Sequence, residues 1–260
     1  TTNGGSSWTT QSSGTPNALW SIHMLDANTG FAVGSSGAIR KTTNGGSSWS
    51  SQTSGTTNTL YSIHMVDANT GWAVGSLGKI LKTTDGGSSW TSQSSGTSDW
   101  LYSIHMVDAN TGWAVGESGK ILKTTDGGTS WTSQTSGTAD LLSDVHFVNS
   151  NTGWVVGQSG TILKTTDGGT NWSTQTSGTT QWLNSVHFID ASIRWATGGS
   201  GIILKTINGG AIWSSQSSGT ANVLRSVYFT NSSIGWASGD NGRVLKTLNG
   251  GSYWSGDSND

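Results

Sequence analysis

Apolar and polar positions along the chain alternate in short bursts, each closed by a glycine-containing turn. In the stretch LYSIHMVD, Leu60, Ile63 and Met65 mark apolar positions before the turn sequence DANTG. The next run, WAVG, is short and apolar and stops at SLG. A third, KILK, leads into TTDGG, and a fourth, WTSQSS, is almost wholly polar. Bursts of this length, bounded by Gly, Asn, Asp and Ser, predict β-strands joined by tight turns. The polar fourth burst suits an outer strand that faces water.

The four-burst pattern is itself repeated. The phrase T-x-[ND]-G-G-x-x-W places tryptophan at Trp8, Trp49, Trp90, Trp131, Trp172, Trp213 and Trp254, always 41 residues apart. Six full repeats cover 1–41, 42–82, 83–123, 124–164, 165–205 and 206–246, and a partial seventh covers 247–260. Four short strands in each unit of about 40 residues predict a propeller blade. The expected fold is all-β: a six-bladed β-propeller of four-stranded antiparallel blades, formed as one domain over 1–260. A β-solenoid would use shorter rungs, and a β-sandwich would not keep a fixed period.

The count of strands leaves one over. First strands begin near Leu19, Leu60, Leu101, Leu142, Leu183 and Leu224, six in all, whereas the fourth-strand tryptophan occurs seven times. Residues 6–13 are expected to complete the sixth blade. The alternative gives that slot to residues 252–256 and leaves the N-terminal strand free to pair with a neighbouring molecule.

Composition then narrows the function. There is no cysteine, which excludes a disulfide framework and a Cys-based zinc site. The net charge of −2 is thinly spread, unlike the basic stripe of a nucleic-acid binder or a polybasic membrane anchor. No apolar run approaches the ~20 residues of a membrane-spanning helix. The chain begins at Thr1, as after removal of a leader or in a fragment. A Ser/Thr/Gly-rich, Lys-poor composition resembles secreted bacterial surface proteins, so an extracellular or cell-surface location is expected.

The turn TTDGGSSW (83–90) resembles the Asp-box, S/T-x-D-x-G-x-[ST]-W, of sialidases, sortilin-type receptors and other propellers. The fuller string GWAVGSLGKILKTTDGGSSW resembles the Ycf48-like group of these BNR-type repeats, and the likeness covers the whole chain. It implies a structural hairpin between third and fourth strands, built on Asp85, Asp126 and Asp167 and, in the other boxes, on Asn3, Asn44, Asn208 and Asn249. Both side chains can close such a turn through backbone amides. Asparagine at four boxes argues against a calcium site. A photosystem-assembly role goes with true Ycf48 relatives, but this sequence brings no arginine patch.

Three polar columns invite chemistry. His23, His64, His105, His146 and His187 recur in the first strand, with Tyr228 in the sixth unit. Their blades stand on the order of 10 Å apart, whereas a metal needs nitrogens at ~2 Å, so inter-blade hydrogen bonding is expected and no metal. Lys41, Lys82, Lys123, Lys164, Lys205 and Lys246 form a second column, expected to contact the third, Asp26, Asp67, Asp108, Asn149, Asp190 and Asn231. A basic ring for an acidic partner is the alternative.

Most tryptophans recur with the repeat and read as core. Trp20, Trp100 and Trp182 do not, and they stand where units differ most: PNALW, TNTLY, SDWLY, ADLLS, TQWLN, ANVLR. The turns between second and third strands vary on the same blade edge. Trp20, Trp100, Trp182, Tyr61, Tyr102 and Arg225 are therefore the candidate ligand-binding residues. No catalytic residue or cofactor is expected: four arginines and one glutamate, Glu117, cannot furnish a sialidase site, and the irregular carboxylates fall on different blades. The expected function is a non-catalytic structural or adhesive module, self-assembling through its surplus strand or binding other surface proteins. The alternative is a lectin that binds glycans on the variable face.

Overall fold

The computed structural model describes residues 1–190 and 192–256. Residues 257–260 of the partial seventh repeat lie outside the described residues. The protein is a six-bladed β-propeller of four-stranded antiparallel blades, spanning 19–52, 60–93, 101–134, 142–174, 183–216 and 224–256. In blade two the strands are Leu60–Met65, Gly71–Gly75, Ile80–Thr83 and Thr91–Gln93, each paired with the next in the chain. Blades thus start about half a repeat after the sequence phrase, since the phrase forms the turn between third and fourth strands.

The second strand is buried along its whole length in blades one to five, which explains its apolarity in the first four; in blade five Arg194 and Thr197 are buried as well. The fourth is exposed, as its polarity requires. Each blade has two apolar faces, and within each run of three blades the facing surfaces of successive blades cover one another. Trp72, Val74 and Ile80 of blade two form one cluster with Leu101, Ile104, Met106, Leu122 and Trp131 of blade three. The same grouping joins blade one to two, four to five, and five to six.

The chain forms two compact units, one of residues 10–135 and one of residues 1–9 with 136–260. In the first, blade one differs from the two that follow. Ile22 is 61% exposed where Ile63 is 4% and Ile104 is 4% exposed. Leu19 and Met24 are exposed too, because no blade of that unit precedes them.

The sixth blade corrects the expectation for the chain ends. Its fourth strand is Ser255–Gly256, paired through Leu245↔Gly256 and Lys246↔Ser255. Residues 6–13 form no strand. The C-terminal copy joins the third strand through a short local turn, whereas the N-terminal copy would have to close a loop of the entire chain. Loop-closure entropy favours the local partner.

Trp195 shows what a second-strand tryptophan contributes. It is fully buried, lies flat on Phe229 with ring centroids 3.5 Å apart, and donates from Nε1 to the Gly250 carbonyl at 3.2 Å. Trp195→Ala should lower stability by about 3–5 kcal/mol, measured by urea titration. A loss under about 1 kcal/mol would mean that the blade interface tolerates the cavity.

Candidate functional site

Every first strand contains a β-bulge at its second residue, seen as the register shifts Leu19/Ser21, Leu60/Ser62, Val115/Gly116, Leu142/Asp144, Leu183/Ser185 and Leu224/Ser226. The bulge positions are Trp20, Tyr61, Tyr102, Ser143, Asn184 and Arg225. A bulge re-aims its side chain out of the ladder, and here three of these side chains reach the turn between second and third strands of their own blade. Trp20 Nε1 donates to Ser35 Oγ at 3.1 Å, Tyr102 Oη to Glu117 Oε1 at 3.5 Å, and Arg225 forms a two-pronged ion pair with Asp240. The two variable columns of the sequence therefore meet as side-chain couples.

In blades one to three these couples merge into one aromatic cluster. Trp20 meets Tyr61 edge-on at 6.1 Å, Tyr61 stacks on Trp100 at 5.8 Å and lies 5.0 Å from Tyr102, and Trp100 stands 6.4 Å from Tyr102. Trp20 remains 58% and Trp100 37% exposed. Beside Trp20 a cavity of about 320 Å³ is lined by Leu19, Ile22, Trp49 and Gln11, among others.

Glu117 anchors the cluster. Its Oε2 accepts the Trp100 backbone N–H at 3.0 Å. Burial, then the Glu117 charge and Tyr61, push the Tyr102 hydroxyl up to about 12. Burial and Glu117 raise Tyr61 as well. Both phenols therefore stay neutral around pH 7. Asp99, next to Trp100, is held by Lys120 at 3.3 Å.

Glu117 and Leu77 are members that the sequence reading missed. Glu117 is the single glutamate of the chain and occupies a turn column otherwise filled by Ser, Gln, Gly and Asp. Leu77 lies in the equivalent turn of blade two, 63% exposed and at φ 56°. The other turns place Ser or Asn at this left-handed position. A leucine there is strained and solvated at once, and such strain clusters at binding sites. The signal was present in the sequence as SLG among SSG, ESG, QSG, GSG and DNG.

The two remaining candidates lie in the other compact unit. Trp182 is 42% exposed and donates through Nε1 to Ser143 Oγ. Arg225 is committed to Asp240, which raises the guanidinium pKa and lowers that of the carboxyl.

A model of the photosynthesis system II assembly factor YCF48 family matches residues 1–94, 47–136, 88–174 and 133–218. The chain belongs to this family. No curated protein matches the sequence. Among solved structures, YCF48 bound to a D1 peptide superposes with a TM-score of 0.77 at 21% identity, over 94% of this chain and 81% of that one. YCF48 from Cyanidioschyzon merolae gives 0.75 at 19%, covering 94% and 86%. The Niastella koreensis GH74 enzyme gives 0.75 at 17%, covering 92% and 45%. At these identities the structural likeness concerns the fold.

In this YCF48-family chain the Asp-box is a self-contained turn. Thr83 Oγ1 accepts the Gly87 N–H and donates to Asp85 Oδ1, which in turn accepts the Ser89 N–H. Ser89 Oγ donates to Asp85 Oδ2 at 2.6 Å, whereas in the Asn44 box the side-chain amide donates to Ser48 Oγ at 2.9 Å. Between these two boxes only the direction of one hydrogen bond changes, and in the Asn208 and Asn249 boxes Oδ1 still accepts the N–H of Ile212 and Tyr253. Hydroxyl and backbone donors hold the Asp126 carboxyl down at about 2, Ser130 chief among them.

Lys41, Lys82, Lys164, Lys205 and Lys246 do not meet the aspartate column but reach glycine carbonyls. Asp67 Oδ1 accepts the N–H groups of Asn69 and Thr70 within its own turn. Lys82 Nζ reaches forward instead, over the Trp72 ring at 5.0 Å, and donates to the Gly127 carbonyl of the next blade at 2.8 Å. Lys41, Lys164 and Lys205 repeat this toward Gly86, Gly209 and Gly250. The ammonium goes to the glycine carbonyl because the box turn presents it above the ring, Phe31 for Lys41 and an indole for the others, where cation–π and hydrogen bond coincide.

The histidines are nearer to one another than sheet spacing suggested, because the rings lean together. Centroids are 4.9 Å apart for His23–His64, 4.8 Å for His64–His105 and 5.5 Å for His146–His187. His187 Nδ1 accepts the Phe229 N–H of the next blade at 3.3 Å. Among the described residues, no three His, Asp or Glu side chains group as metal ligands would.

Burial, followed by the His23 charge, lowers His64 to about 3, and burial lowers His187 to about 4. Folded, these histidines bind fewer protons than unfolded. Their contribution is intact above about pH 6.5 and is lost progressively as pH falls from there toward about 4 for His187 and about 3 for His64, by up to about 1.4 kcal/mol per pH unit for each. Urea titration should therefore find this protein less stable at about pH 5 than at about pH 7.5, with a shallower dependence in His64→Gln. An unchanged midpoint would show that the imidazoles are hydrated.

Proposed function

We propose that this chain is a non-catalytic binding module whose aromatic edge on blades one to three captures an extended segment of a partner protein. The observation that carries this reading is the cluster of Trp20, Tyr61, Trp100 and Tyr102, with both indoles exposed and Trp100 and Tyr102 tied to one carboxylate, Glu117. Tyrosine and tryptophan contribute large contact area at little rotamer cost, and they dominate the energetics of many interfaces. The family's description as an assembly factor, and the D1 peptide bound to a structurally similar YCF48, support a protein ligand. Composition supports an extracellular or cell-surface setting, where partners would be other surface proteins.

Two observations favour protein over glycan. Tyr61 and Trp100 stack on each other, which spends ring faces that a sugar would need. Glu117 and Asp99 are already engaged, by Trp100 with Tyr102 and by Lys120 respectively. That engagement also supports the absence of catalysis, since a glycosidase needs two available carboxylates across one bond.

Panning the immobilised protein against a phage-displayed random peptide library tests the reading. Selected peptides should lose at least tenfold in affinity to Trp20→Ala/Trp100→Ala, while its melting temperature shifts by no more than about 2 °C. Leu77→Gly should weaken binding while leaving stability equal or higher, since it relieves a left-handed leucine. Failure to enrich any peptide, with binding on a glycan array that depends on the same tryptophans, would replace this reading with the lectin.

A further inference from the structure

The blade edge that carries the box turns is polar in blades one to four and turns apolar in blades five and six. Two box positions face water in every blade. In the first four boxes one of them is threonine and the other serine or asparagine, as with Thr84 and Ser89. The box of blade five puts Ile207 and Ile212 there, and that of blade six Leu248 and Tyr253. These four side chains are 66–69% exposed. Thr84 and Ser89, in a blade flanked on both sides, are exposed as well, so the exposure belongs to the position. The adjoining turn between first and second strands changes in step. Its threonine, Thr70 in blade two, becomes Ile193 and Ile234, both half-buried. Box and turn are joined by the Gly209 N–H, which donates to the Ser192 carbonyl at 3.1 Å, and by Gly250 to Ser233 at 2.8 Å.

Stability does not explain the change. In blade two Ser89 Oγ donates to Asp85 Oδ2 at 2.6 Å, whereas Ile212 and Tyr253 give Asn208 and Asn249 only their backbone N–H, at 3.0 and 2.9 Å. Each box has given up a side-chain hydrogen bond and set an apolar group in water. Exposed apolar clusters mark contact with a protein or a membrane.

Three features favour the membrane. First, both boxes are uncharged: residues 206–216 and 247–256 contain no Asp, Glu, Lys or Arg, and Asn stands where blades two to four have Asp. A carboxylate taken into lipid would cost far more than an amide. Second, the turns supply acceptors for their own backbone. Gly210 donates to Thr206 Oγ1 at 3.1 Å and Gly251 to Thr247 Oγ1 at 2.9 Å, so these donors can leave water already paired. Third, four side chains on two turns are far fewer than the roughly 20–30 residues a side of a stable protein interface. In a bilayer each apolar side chain contributes separately, by the area it removes from water. Tyr253 suits the level of the headgroups. Lys205 and Lys246 are committed to the Gly250 and Gly4 carbonyls, so attraction to anionic headgroups is not the driving force.

We propose that the box turns of blades five and six dock on the surface of a lipid bilayer, with Ile207, Ile212, Leu248 and Tyr253 entering the boundary between headgroups and acyl chains. The contact is independent of the aromatic edge, which lies on blades one to three. Lys205 of blade five donates to the box of blade six, which sets the two turns on the same edge of successive blades. Both can therefore meet one surface.

Flotation of the full-length protein with phosphatidylcholine vesicles tests this. The protein should float with the vesicles equally at about 0.1 M and about 1 M salt, since screening leaves an apolar contact intact. Ile207→Thr/Ile212→Ser/Leu248→Thr/Tyr253→Ser restores the residues of the second box. It should bind at least about tenfold more weakly, while its melting temperature moves by no more than about 2 °C. If the fourfold variant does not fold, Ile212→Ser/Tyr253→Ser carries the same test with a smaller loss. Absence of flotation would overturn the proposal, as would binding that high salt abolishes or that the variants retain in full. An oligomer in sedimentation without lipid, abolished in the variant, would instead give this surface to a second copy.

Discussion

A four-stranded blade of this repeat presents two apolar faces and can bury neither alone, so everything else depends on how one blade seizes the next. The contact is a stacked arrangement of three groups. An aromatic ring from the second strand, Phe31 in blade one and an indole in those that follow, is buried under the next blade, a lysine ammonium lies over it, and the ammonium ends on a glycine carbonyl of that blade's box turn. Burial of the indole supplies most of the energy. The ammonium and its carbonyl fix where the turn must land. A residue inserted between one box and the next would move that landing point, which gives a physical reason for a period that stays at 41 residues throughout.

The clamp occupies one edge of each blade and frees the other. Tolerance for change collects at the free edge, where the bulge residue and the turn residue beneath it vary together as couples: Trp20 with Ser35, Tyr102 with Glu117, Arg225 with Asp240. These couples touch no inter-blade clamp, so substitution there does not endanger the fold. Leu77 adds strain at the same edge, which is hard to explain by stability and easy to explain by contact with a ligand.

Much of this was legible in the residues. The bursts, their lengths and their closing glycines specified four strands per blade, and the repeat specified six blades, because each strand's conformation is set by local pattern. The box turn was legible for the same reason, being closed by hydrogen bonds among eight consecutive residues. Trp20, Tyr61, Trp100 and Tyr102 stood out as irregular aromatics, though not as one group. Their meeting depends on the bulge and on the packing of successive blades.

What the sequence determined by itself is therefore the repeat, its strands and turns, and which edge varies, since all of these follow from short-range pattern and steric preference. Tertiary structure alone decided three matters. It sent the lysines forward to glycine carbonyls, because the partner lies 45 residues ahead on another blade. It gave the last edge to the C-terminal strand, because a local closure costs less entropy than one spanning the chain. And it drew four aromatic side chains of three blades into one cluster, because proximity across blades is a property of packing that no single repeat contains.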